Sequence, residues 1–284
     1  MVVTIPFSNA RDIMTIDEAL TAIKSQETPK VLLRAAAELA KSNIPQAHQT
    51  LLQALNSNEF LNRLNTQEEH GGNPNSLRMR RILDTLIANP NPLAMHTILM
   101  LTHNDVFLNE GSRVVLLIRA STEIRPVPPE LVVFWDKYTQ PDDGFTHMVI
   151  EALIYNATLP ALNLFEAKVI SPAYEFDDKT YWFRDNIMPL RNKLEIVQSA
   201  GRLLQDPHVE QDLRIELVDV LYDYKSEWFT PAVNFKPPEL ASYTQAVKNA
   251  LVELAEYALR NISLDEERKK MLEKSIASFK QGEN

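Results

Sequence analysis

Six histidines, at 48, 70, 96, 103, 147 and 208, are the only imidazoles of a chain that has no cysteine. His147 and Glu151 stand four apart on an apolar-striped segment, so both side chains share one face of a helix and could donate two ligands to a metal ion. His96 and His103, seven apart, share a face in the same way. Neither pair brings a third or fourth ligand. The lack of cysteine removes thiolate sites, iron–sulfur clusters, disulfides and thiol catalysis together. No metal and no cofactor is expected. The adjacent carboxylates Asp142-Asp143 and Asp177-Asp178 each precede a helical pattern, where aspartate accepts backbone N–H groups and favours the positive helix end, so capping is their expected role. A glycine-rich phosphate loop, a nucleophile elbow and a paired-histidine zinc helix are all absent from the sequence, and no catalytic residue is assigned.

Aromatic side chains are the more informative chemistry. Tyr174, Phe176, Tyr181, Trp182 and Phe183 crowd one stretch, and Tyr222, Tyr224, Trp228, Phe229 and Phe235 surround another. Residues this large anchor loops onto a core, and they also line grooves, where tryptophan and tyrosine are enriched among binding hot spots. Glu175, Asp177, Asp178 and Glu227 lie among them. The sequence therefore points to an acidic, aromatic-rimmed groove. Trp182 and Trp228, with Tyr181 and Phe229, would supply apolar contact, and the carboxylates would favour a protein or peptide partner carrying lysine or arginine.

The elements that must position these residues are short helices. Between Pro128 and Ile170, Leu131, Phe134, Trp135 and Tyr138 fall at i, i+3, i+4 and i+7, and Phe145, Met148, Val149, Ala152 and Leu153 form a second stripe. Each pattern opens at a breaker and is too short to bury its stripe alone, so neighbours must stack. The same rhythm recurs on both sides. Thr15 and Glu18 stand at capping-box spacing, Pro29 and Pro45 open one pair, and Met79 to Ile87 and Leu93 to Leu101 flank an Asn-Pro-Asn-Pro turn. Later pairs run Ser112–Ile124 with Pro129–Thr139, Phe145–Ala157 with Pro160–Ile170, and Leu190–Gln205 with His208–Tyr224. A helix over Leu240–Arg260 follows, and a charged capping helix over 264–280 closes the array. Three stretches lack the period: a mobile loop is predicted over 62–76, and irregular aromatic inserts over 171–189 and 226–238.

Prolines within successive pairs recur every 31 to 47 residues. The stretches VLLRAAAELAKSNIPQAHQTLLQAL and THMVIEALIYNATLPALNLFEAKV each resemble a HEAT-type unit, an apolar helix, a short proline turn and a second helix. This similarity to the HEAT-like and armadillo α-solenoids covers about four-fifths of the chain. It implies an all-α superhelix of about six stacked hairpins, a single domain over 1–284, and a scaffold or adaptor that binds a partner segment on its concave face. The alternative it carries is an enzyme on the same frame, DNA glycosylase-like or chromophore-lyase-like.

Charge argues against nucleic acid. Net charge is −9, and residues 143–284 hold 23 acidic against 16 basic side chains, a field that repels phosphate. The N-terminus lacks a basic region followed by an apolar run, and no stretch approaches 18 apolar residues, so a cytoplasmic protein without a membrane span is expected.

Overall fold

The computed structural model describes residues 14–64, 74–89, 91–141, 143–222 and 242–281. Its regular structure is entirely helical, with no strand among the described residues. Contacts divide the chain into two compact units, Met1–Ile124 and Arg125–Asn284.

In the first unit α1 (Ile16–Lys24) opens on the box read from the sequence. Thr15 Oγ1 accepts the Glu18 amide at 3.3 Å, and the Glu18 carboxylate accepts the Thr15 amide at 2.7 Å and the Thr15 hydroxyl at 2.9 Å, two bonds that hold the Glu18 carboxyl below its usual pKa. α2 (Pro29–Lys41), α3 (Pro45–Leu55), α5 (Pro74–Ala88) and α6 (Pro92–Leu101) each begin on a proline, whose missing N–H has no intrahelical partner at that position anyway. α8 (Gly111–Ser121) follows α7 (Asp105–Leu108), a four-residue helix. α2 packs on α5 and α5 on α8, while α3 packs on α6, and the pairs α2–α3 and α5–α6 also touch. Leu32, Leu39, Leu51, Ile82, Ile98 and Leu117 fill the space between them and are fully buried. His48 is buried with both ring nitrogens used, Nε2 on the Ser42 carbonyl and Nδ1 on Thr97 Oγ1, each at 2.8 Å, so it ties α3 to α6.

α4 (Asn58–Leu64) was not legible as a helix. It buries Phe60, Leu61 and Leu64, so positions 62–64 of the predicted loop are helical, as are 74–76 at the start of α5. Residues 65–73, with His70, lie outside the described residues.

The second unit holds α9 (Pro129–Lys137), α10 (Thr146–Asn156), α11 (Leu159–Ile170), α12 (Phe176–Trp182), α13 (Leu194–Gln205), α14 (Gln211–Tyr222), α15 (Gln245–Asn261) and α16 (Glu266–Gln281). Its packing alternates: α9, α11, α13 and α15 succeed one another, and so do α10, α12, α14 and α16. α13 and α15 approach closely at Gly201, where a Cβ would lie 2.8 Å from a Leu254 methyl. Leu153, fully buried on α10, reports on this packing. Leu153→Ala is expected to lower the unfolding free energy by about 2–5 kcal/mol, measurable by urea denaturation.

The insert predicted over 171–189 is corrected by the structure, being helical from Phe176 onward. α12 runs into a π-helical turn over Phe183–Ile187 and a 3-10 turn over Met188–Leu190. Asp177 and Asp178 accordingly sit inside the first turn of α12, where their charge favours the positive end, and Glu175 occupies the N-cap without a side-chain bond. Asp143 does accept the Phe145 amide at 3.0 Å just before α10, while Asp142 lies outside the described residues. Residues 223–241, which contain the second predicted insert, lie outside them too.

Directly after the 3-10 turn comes Arg191, wholly buried. Its Nη1 donates to the Val220 and Leu221 carbonyls at 2.9 and 3.3 Å, and its Nε to the Tyr243 hydroxyl at 2.8 Å. The two carbonyls belong to the last turn of α14, which lacks intrahelical donors and carries the negative end of the helix dipole. The guanidinium caps that helix from inside the core.

Candidate functional site

The exposed face of α10 is set by what its other face must bury. Val149, Ala152, Leu153 and Ile150 point into the core, which leaves His147, Glu151 and Tyr155 at i, i+4 and i+8 toward solvent. α12 packs beside α10 and brings Asp178 and Tyr181 to the same face. Tyr181 is half exposed, and its ring meets the His147 ring edge-on with centroids 5.1 Å apart. A hydrogen bond to the Asp185 carboxylate, from the π turn, raises the Tyr181 phenol above its usual pKa, with partial burial and the field of Glu151 acting the same way.

Trp182 is corrected by the structure. Predicted to offer contact area to a partner, it is fully buried, its ring edge-on to Tyr174 at 5.2 Å. The adjacent Phe183 is buried as well and meets Phe165 at 6.4 Å. Tyr174 donates its hydroxyl to the Thr139 carbonyl, and burial raises its phenol pKa. Lys168 lies over the Tyr174 ring at 6.0 Å and pairs with Asp136 at 2.5 Å. Trp182 is therefore an anchor that holds α12 in place.

It also orients the face above it. The Trp182 indole N–H donates to His147 Nδ1 at 3.1 Å. An indole nitrogen can only donate, so Nδ1 accepts and a neutral His147 carries its proton on Nε2, which looks toward Asp178 Oδ1 at 3.8 Å. The lone pair that a general base needs is thus taken by the indole. Among the described residues, no group of three His, Asp or Glu is placed to hold a metal ion.

Of the other predicted groove residues, Glu175 at the N-cap of α12 and Asp177 in its first turn are exposed, and Asp178 is partly exposed, together with Tyr181. Trp228, Phe229 and Glu227 lie outside the described residues. Missed as groove residues were Glu151, Tyr155 and Asp185. The i, i+4, i+8 spacing of His147, Glu151 and Tyr155, complementary to the buried stripe of α10, was the signal that could have found the first two. Lys193 completes this side, its ammonium 5.2 Å over the Tyr155 ring. Two depressions in the first unit, of about 290 and 490 Å³, are lined by residues such as Thr50, Phe60 and Arg63 and by Lys41, Arg81 and Asn89, and gather none of these groups.

No family model matches the chain, and comparison with curated proteins and with solved structures finds no significant similarity. Among the described residues no helix is long and apolar enough to cross a membrane.

Proposed function

We propose that this protein is a non-catalytic interaction scaffold, built within each unit as a HEAT-like run of stacked helices, that captures a lysine- or arginine-bearing segment of a protein partner on the α10–α12 face. The observation that carries the reading is the setting of Tyr181. A half-exposed aromatic ring stands among the carboxylates of Glu151, Asp178 and Asp185, an arrangement that offers a cation both a π face and counter-charge. The packing order supports the stacked-helix part, since each row adds a helix to the one before it. The acidic face favours a basic peptide over nucleic acid, whose phosphates it repels. The engaged lone pair of His147 favours binding over catalysis.

Fluorescein-labelled hexalysine, followed by fluorescence anisotropy at physiological salt, is the direct test. Tyr181→Ala is expected to weaken its binding by more than 1 kcal/mol, a fivefold or greater loss, with an unchanged helical spectrum. Equal affinity for wild type and Tyr181→Ala would remove the α10–α12 face from the proposal.

A further inference from the structure

We infer that His147 makes this face proton-sensitive: protonation of its imidazole and capture of a cationic side chain oppose one another. The inference rests on the proposed function, because it concerns the same face. An imidazolium carries N–H on both nitrogens, so a proton arriving at Nδ1 removes the acceptor of the Trp182 indole bond and places a positive charge beside the Tyr181 ring. The surrounding charges are ready to receive it. Asp178 stands 3.8 Å from Nε2, Glu151 is one turn along α10, and Asp185 holds the Tyr181 hydroxyl from the π turn.

The remaining charged groups on the elements packed against α10 are engaged elsewhere. On α12, Lys179 is buried and feels Glu210, and Asp177 faces Arg184. On the π turn, Arg184 is bound to Glu216 at 2.5 Å. On α11, Glu166 accepts from Ser199 and Arg202, and Lys168 is held by Asp136. Lys193 is held over the Tyr155 ring, two turns along α10 from His147. The field nearest His147 is therefore set by three carboxylates, and these are the carboxylates a partner's ammonium would use. One positive charge on the imidazole offsets one of the three carboxylates and, standing against the Tyr181 ring, repels a second cation there. By linkage, whatever affinity the cationic guest loses to the proton, the proton loses to the guest.

Hexalysine affinity measured at pH 7.5 and pH 5.5 tests this, since imidazoles titrate across that interval. For the wild type the ratio of the two dissociation constants is expected to be on the order of ten, the effect of one unit charge a few ångströms away at a partly screened surface. His147→Gln, whose amide does not titrate, should bring the ratio to within a factor of two. His208→Gln, an exposed histidine beside Asp206, should leave it near ten. Tryptophan emission read without peptide gives a partner-independent signal, because an imidazolium quenches a neighbouring indole: the wild type should lose emission between the two pH values more than His147→Gln does. Equal ratios in wild type and His147→Gln, with hexalysine bound, overturn the inference and leave the proposed function standing. Absence of hexalysine binding at both pH values overturns both, even where the tryptophan signal shows His147 taking up its proton.

Discussion

Arg191→Ala is expected to lower the free energy of unfolding by about 3–5 kcal/mol, among the largest effects of any single substitution in the second unit. The side chain is fully buried, and its removal strands the Val220 and Leu221 carbonyls and the Tyr243 hydroxyl without their charged donor. Hydrogen bonds to charged groups contribute about 1.5–3 kcal/mol each, and the vacated volume adds a cavity term. Lysine should not restore the loss, since one ammonium on a single stem does not reproduce the fork that reaches the α14 carbonyls and Tyr243 together. Tyr243→Phe removes a single partner and should cost about 1 kcal/mol or somewhat more. Urea denaturation of the three variants checks the ordering. A midpoint for Arg191→Ala close to that of the wild type would mean that the α14 carbonyls find other donors.

Trp182→Ala should cost a similar amount, about 3–5 kcal/mol, and should do so through the fold before it does so through binding. The indole fills the space between α10 and α12, packs on Tyr174 and fixes His147, so its loss empties a cavity and frees the imidazole at once. Trp182→Phe shifts the balance between the two effects: most of the volume stays and the N–H is lost. Thermal unfolding followed by circular dichroism should place Trp182→Phe between wild type and Trp182→Ala. Wild-type stability of Trp182→Ala would contradict its role as an anchor and return it to the surface role expected from the sequence.

The helices were legible where apolar residues repeat at three and four and a proline marks the start, as in Pro29–Lys41 and Pro92–Leu101. They were not legible where the repeat is too short or broken. α4 offers only Phe60, Leu61 and Leu64, less than two turns of pattern. In α12 the run Tyr181-Trp182-Phe183 is shorter than one turn and shows no period, and the helix changes to π geometry at Phe183; Trp182 and Phe183 are buried while Tyr181 stays outside. The aromatic and acidic character of the site could be read from composition, but the partnership of His147 with Trp182 joins residues 35 apart through tertiary packing. Arg191 was equally hidden, since arginine is mostly a surface residue and nothing local marks this one for burial.

The prolines at the first positions of α2, α3, α5, α6 and α9 act on the chain before any of these contacts exist. Each fixes its own φ and turns the preceding residue away from helical conformations, so a nascent helix in the disordered polypeptide stops at the boundary it will keep. Adjacent segments are thereby prevented from fusing into one long rod whose stripes would face in unrelated directions. The same rings reduce the number of conformations the denatured ensemble can sample, which stabilises the native state without adding a contact to it. Punctuation of this kind lets a protein of short helices establish where each begins while tertiary packing is still absent.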